Sequence, residues 1–190
     1  MGGRGRSEES ALNETQLKKL WGACSEPTDK VLVGLCAFAG LRVGEAIHLN
    51  ASWIKEGCIV IPSSMPCNCW ECHTRGGWKP KTKAGARTIP LPSILKPVLE
   101  SYLRTHPEGL KMTRQTANNR VRALQEKAGL PHIFPHALRA SYATLLATKG
   151  MQAMTICYLL GWSRLEVAQH YVRIAEAKAD AGKAIKEIFG

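Results

Sequence analysis

Helical spacing of apolar residues runs through most of this chain, and strand signals are confined to three short stretches between residues 59 and 91. Val31, Leu32, Leu35, Cys36 and Ala39 recur on one helix face, which predicts a helix from 29 to about 38. Asn13, with Gln16 three residues on, is a helix-start signature. Gly40 ends the second helix, and Arg42 opens a short one reaching His48 or Leu49. Residues 59–61 and 87–91 read as short strands, with 78–83 as a third strand and turn between them. The remainder reads as helices near 93–105, 115–128, 136–149, 152–159, 164–171 and 175–188, with no internal repeat. The expected fold is therefore mainly α with one small three-stranded antiparallel sheet.

A chain of 190 residues is long enough to bury a core of its own. Its 26 Lys and Arg outnumber 15 Asp and Glu, for a net charge of +11, which favours a polyanionic partner. Nucleic acid is preferred to a membrane surface, because no basic segment carries a bulky apolar face. No apolar run approaches the ~20 residues that span a bilayer. Residues 1–11 read as a flexible basic segment without the apolar centre of a secretion signal. Cys24, Cys36 and Cys157 stand alone in apolar surroundings, while Cys67, Cys69 and Cys72 cluster. This pattern suits reduced core thiols and a metal candidate in a cytoplasmic protein.

Four roles are needed to break a phosphodiester: two cations for the non-bridging oxygens, a proton carrier and a nucleophile. Arg42 lies in Gly40-Leu41-Arg42-Val43-Gly44-Glu45, beside a helix start whose N–H groups favour an anion. His136 and Arg139 follow Pro135 and lie three apart, hence on one helix face. The imidazole exchanges protons near neutrality, and the guanidinium offers a planar fork to phosphate. Leu160-Gly161-Trp162 then precedes Tyr171 by nine residues, counted from the tryptophan. Taken singly, each feature is commonplace: a surface ion pair between Arg42 and Glu45, a helix-surface His/Arg pair, a tyrosine at the core rim.

Together, and in this order, they resemble the tyrosine recombinase (phage integrase) family, from about Leu12 to the C-terminus. The resemblance implies a DNA breaking-rejoining catalytic domain over 12–174, followed by a tail helix at 175–190. It implies Tyr171 as nucleophile, forming a 3′-phosphotyrosyl bond, with Arg42 and Arg139 on the phosphate. Trp162 stands where most members carry histidine; its indole N–H can donate to phosphate but cannot shuttle protons. Ala140 replaces the commoner second histidine. Acid–base work then falls to His136 and a hairpin lysine. Lys83, at the opening of the Ala84-Gly85 turn, is the first choice for protonating the leaving 5′-oxygen, and Lys81 is the alternative, two residues away on the same strand face. No cofactor is required for the chemistry. Two other classes share parts of this logic: a type IB topoisomerase, and a non-catalytic DNA-binding regulator of a larger recombinase.

The family resemblance says nothing about the Cys-rich hairpin insertion at 64–78. Cys67, Cys69, Cys72 and His73 are candidate ligands of a structural Zn²⁺, which takes four N or S donors, with Cys58 a possible substitute. Reduced thiols in a mobile loop and a redox disulfide are the competing readings. The resemblance further implies double-stranded DNA as partner, and a monomer that becomes a cyclic homotetramer on DNA through exchange of the C-terminal helix. Ile185, Ile188 and Phe189 are the apolar patch, and Gly182 is a candidate hinge. Full-length members carry an N-terminal core-binding domain, and the catalytic pattern here begins within the first 20 residues. The expected location is cytoplasmic and nucleoid-associated, or the host cytoplasm for a viral protein.

Overall fold

The computed structural model describes residues 10–189, so most of the predicted basic segment at 1–11 lies outside the described residues. Nine α-helices and three strands follow one another among them: α1 (Glu14–Ala23), α2 (Pro27–Ala37), α3 (Val43–Ala46), β1 (Ile54–Lys55), β2 (Cys58–Ile61), α4 (Trp70–His73), β3 (Arg87–Pro90), α5 (Lys96–Thr105), α6 (Arg114–Lys127), α7 (Pro135–Thr148), α8 (Ala153–Leu160) and α9 (Leu165–Phe189). The expected mainly helical fold with one small antiparallel sheet is what the chain adopts.

At the centre lies α2, buried from Val31 to Ala37 without interruption. A helix apolar all round must be covered on every side, and α1, α5, α6 and α7 pack around it. Its Pro27 occupies the first turn, where the missing N–H costs nothing, so the helix starts two residues earlier than the apolar spacing suggests. At the start of α1, Asn13 and Gln16 cap each other's backbone reciprocally. A second, smaller core is built from small residues: Ala140, Ala143 and Ala147 of α7 let α8 and α9 approach closely, enclosing Ile156, Leu160, Ala168 and Tyr171.

The sheet has the order β1-β2-β3, antiparallel throughout. Its third strand is not the predicted 78–83 but Ile54–Lys55, turned into β2 by Glu56 and Gly57, both at positive φ. Trp78 makes only an isolated bridge to Met65, and Pro80 beyond it has no N–H to donate to a ladder. Lys83–Gly85 then forms a single 3-10 turn before β3. The tail also departs from expectation: α9 is one helix of 25 residues, with no break near 172–174. Gly182 costs such a helix only about 1 kcal/mol relative to alanine, and the turn carries through it.

Candidate active site

Glu45 is the residue on which the site is assembled. It sits in α3 at 2% exposure, and its carboxylate faces three arginines. Arg42 caps the same helix: its backbone N–H donates to Glu45 Oε2 at 2.9 Å and its Nη1 to Oε1 at 2.7 Å. Arg87, on β3, donates from Nη1 and Nη2 at 3.2 and 3.0 Å. Arg139, on α7, lies 3.9 Å away. Burial alone would push the Glu45 carboxyl up, but Arg87, Arg139 and Arg42 outweigh it and hold its pKa below the ordinary value.

The cations are aimed by backbone carbonyls at the α8 terminus. Gly161 caps α8 in the left-handed conformation, at φ 55°. Its carbonyl accepts from Arg42 Nη2 at 2.9 Å and from Thr82 Oγ1 at 3.3 Å. A Cβ there would come within 2.6 Å of the Ala84 carbonyl oxygen, so this glycine permits the hairpin turn to close on α8. Arg139 donates from its two Nη atoms to the carbonyls of Gly40 and Leu160, which fixes the fork across the chain. Burial, followed by the nearby Arg42, lowers its pKa to about 9, so it still carries its charge at neutral pH.

A groove of about 970 Å³ opens over these residues, lined among others by Arg42, Lys81, Arg114, His136 and Arg139. His136 is exposed as a residue yet stands in this concavity. Desolvation first, then Arg139, Arg42 and Lys81, depress its pKa below the ordinary imidazole value. At neutral pH it is therefore a proton acceptor. Lys83 opens the 3-10 turn and is not among the groove-lining residues, whereas Lys81 is. Beside the groove, the Trp162 ring lies 5.9 Å from the Arg139 guanidinium carbon and stacks on Tyr171, with centroids 5.5 Å apart and planes 19° from parallel. Tyr171 is 5% exposed in this conformation.

The structure thus gathers Arg42, His136 and Arg139 with Lys81 at one groove, and seats Trp162 and Tyr171 against its Arg139 side. Arg87 was not among the residues singled out from sequence, although a charged side chain two residues from the inward-facing Ile89 shares its face of the strand. In the insertion, His73 is not part of the cysteine cluster. His48, from the end of α3, joins Cys67, Cys69 and Cys72 instead, the four donor atoms lying within 4.8 Å of one another. No residue spacing links His48 to cysteines 19 to 24 positions on, which is why the sequence does not reveal it.

A mostly helical domain thus sets paired arginines, a histidine and a lysine around one groove, with a tyrosine packed alongside. The chain belongs to the phage integrase family, whose signature covers residues 10–178. It is 29% identical over 216 residues to a XerC-like tyrosine recombinase of Caldanaerobacter subterraneus subsp. tengcongensis, a match covering 96% of this chain and 55% of that protein. The chain therefore spans about half the length of that curated relative. Among solved structures, XerA recombinase superposes with a TM-score of 0.72 at 23% identity, over 91% of this chain and 63% of that one. XerH site-specific recombinase bound to palindromic difH substrate, in a post-cleavage complex, gives 0.68 at 20%, over 93% and 53%. At these identities the structural likeness speaks for the fold. No helix among the described residues is long and apolar enough to cross a membrane.

Proposed function

We propose that this chain is the catalytic part of a site-specific DNA recombinase, acting on double-stranded DNA inside the cell. In the reaction, Tyr171 Oη attacks a phosphorus, its proton passing to His136. The P–O5′ bond breaks, leaving a 3′-phosphotyrosyl ester, and the departing 5′-oxygen takes a proton from a hairpin lysine. Attack by a 5′-hydroxyl on that ester reverses the steps and joins a new strand, so the phosphodiester energy is kept and no nucleotide is consumed. Arg42 and Arg139 neutralise the charge that grows on the non-bridging oxygens, and preorganised donors of this kind are the largest contribution to many such reactions. The Trp162 indole N–H adds a neutral donor. Lys81 is favoured over Lys83 as the acid because it lines the groove that holds the other groups.

The observation that carries this reading is the convergence of Arg42, His136 and Arg139 on one groove, with Tyr171 stacked on the Trp162 ring beside it. The XerH complex with its difH substrate supports DNA as the partner. Attack requires Tyr171 to leave its buried position, so the DNA-bound state differs from this one at α9. We further propose a monomer in solution that forms a cyclic tetramer on two DNA sites. In support, Ile185, Ile188 and Phe189 at the end of α9 are 60%, 69% and 82% exposed. A metal in the Cys-rich insertion is structural and takes no part in bond breaking. The test is to select duplexes from a random library by binding, nick them near the selected site, and look on a denaturing gel for protein covalently held on DNA. Selected sites that never yield an adduct would overturn the reading.

A further inference from the structure

We propose that Cys67, Cys69, Cys72 and His48 bind one Zn²⁺ in a closed tetrahedral site, and that the ion staples the insertion to the end of α3, beside the groove. The inference deepens the reading of the insertion as metal-bearing and is independent of the chemistry at Tyr171.

The donor atoms are already close to the positions an ion needs. His48 Nε2 lies 3.4 Å from Cys69 Sγ and 3.3 Å from Cys72 Sγ, and all four donor atoms fall within 4.8 Å of one another. Tetrahedral zinc, with Zn–S near 2.3 Å and Zn–N near 2.05 Å, places N and S about 3.6 Å apart and two sulfurs about 3.8 Å apart. Shifts of tenths of an ångström separate the observed N–S spacings from that geometry. The ring is also oriented for the task. His48 Nδ1 lies 2.7 Å from the Gly44 carbonyl oxygen, and the tautomer that donates there turns the Nε2 lone pair towards the sulfurs. A second hydrogen bond of this kind is what fixes metal-binding histidines in general.

The surroundings hold the ligands in place before any ion arrives. Cys69 caps α4 and Cys72 lies within it, the Cys72 N–H donating to the Cys69 carbonyl at 3.0 Å, so the two sulfurs come from one tight turn. The base of the insertion is closed by paired backbone bonds between Met65 and Trp78, at 3.0 and 2.9 Å. Trp78 is 4% exposed, packs 5.7 Å from the His48 ring and donates Nε1 to the same Gly44 carbonyl at 3.3 Å. All three cysteines are free thiols. With four protein donors and no open position, the site suits a structural ion and not a catalytic one.

Its place in the fold gives the ion a consequence. Arg42 caps the first turn of α3 and His48 lies just past its last, so metal at His48 holds the helix that presents Arg42. On the other side, Glu71 of α4 pairs with Arg114 of α6 at 2.8 Å, and both residues line the groove. Loss of the ion would free this wall, including Trp70, which is 93% exposed.

The experiment uses the full chain purified without chelator, with elemental analysis, Co²⁺ substitution spectroscopy and limited proteolysis. Expected are one zinc per chain, a tetrahedral Co²⁺ spectrum with strong thiolate charge-transfer bands, and cleavage within 64–78 only after chelation. His48→Ala should weaken metal affinity at least 10-fold, His48→Cys should restore it, and His73→Ala should leave it unchanged, with far-UV circular dichroism confirming that each variant is folded. Loss of metal on His73→Ala with retention on His48→Ala would overturn the ligand set alone. Protein without metal that takes up neither Zn²⁺ nor Co²⁺, or that forms a disulfide among the three cysteines in its place, would overturn the metal reading as well.

Discussion

Glu45 carries more of the site than any one of the arginines it orients, because one buried carboxylate serves Arg42, Arg87 and Arg139 together. Removing one partner from a buried ionic cluster leaves the others uncompensated and costs about 3–5 kcal/mol. Glu45→Gln should lose about that much stability at pH 7, read from urea unfolding. Because the folded pKa lies below the ordinary 4.5, the unfolded chain binds the proton more readily. The stabilisation is therefore complete above about pH 4.5 and drains away as pH falls through the lower folded value. The glutamine variant should lack that acid-range dependence; equal stability of the two proteins at pH 7 would contradict the clamp. Arg139 makes a second residue-scale case. Its two Nη atoms are committed to separate carbonyls, of Gly40 and Leu160, a geometry a lysine ammonium cannot copy. Arg139→Lys should cut single-turnover cleavage about 100- to 1,000-fold, and near-normal rates would show that only charge matters there. At this scale the sequence was informative wherever spacing along one helix sets the geometry, as for His136 and Arg139. It was silent where distant segments meet, as for Arg87 on Glu45 and His48 beside Cys69.

Among the elements, helices were legible because apolar periodicity and caps are local signals: Asn13 with Gln16 marked the start of α1, and Gly40 followed the end of α2. The sheet was harder. Two-residue β1 has no room for an alternating pattern, and its turn through Glu56 and Gly57 is the only local mark it leaves. The more strand-like 78–83 stayed out of the sheet because Pro80 cannot donate to a ladder and Lys83–Gly85 coils. That same irregular segment carries both lysines proposed to meet the leaving oxygen. A 5′-bridging phosphorothiolate leaves without a proton, so it should rescue cleavage by Lys81→Ala, whose side chain lines the groove. Rescue of Lys83→Ala, with none for Lys81→Ala, would assign the acid to the turn instead.

For the molecule as a whole, the proposed reaction and the proposed assembly meet in α9. Tyr171 lies in its first half, inside the small core of α7 and α8, and the apolar residues Ile185, Ile188 and Phe189 lie at its far end. The sequence placed a break between these two parts; nothing between 171 and 182 interrupts the helix, and Gly182 is accommodated. A stiff connection means that displacing the end of α9 shifts Tyr171 too. Deletion of 182–190 should leave a folded monomer with impaired pairing of two DNA sites in native gels, and with altered cleavage of a single duplex. Unchanged pairing would show that the tail has no role between subunits.

Conversion of the buried Tyr171 phenol into the covalent link to DNA is the step on which the proposed reaction turns. Its most direct test is to trap the adduct on a nicked duplex, digest it with protease and nuclease, and locate the modified peptide by mass spectrometry. A nucleotide phosphate on Tyr171, absent from Tyr171→Phe protein that still binds the same duplex, is the predicted result. An adduct on any other residue, or one that survives in the phenylalanine variant, would contradict it.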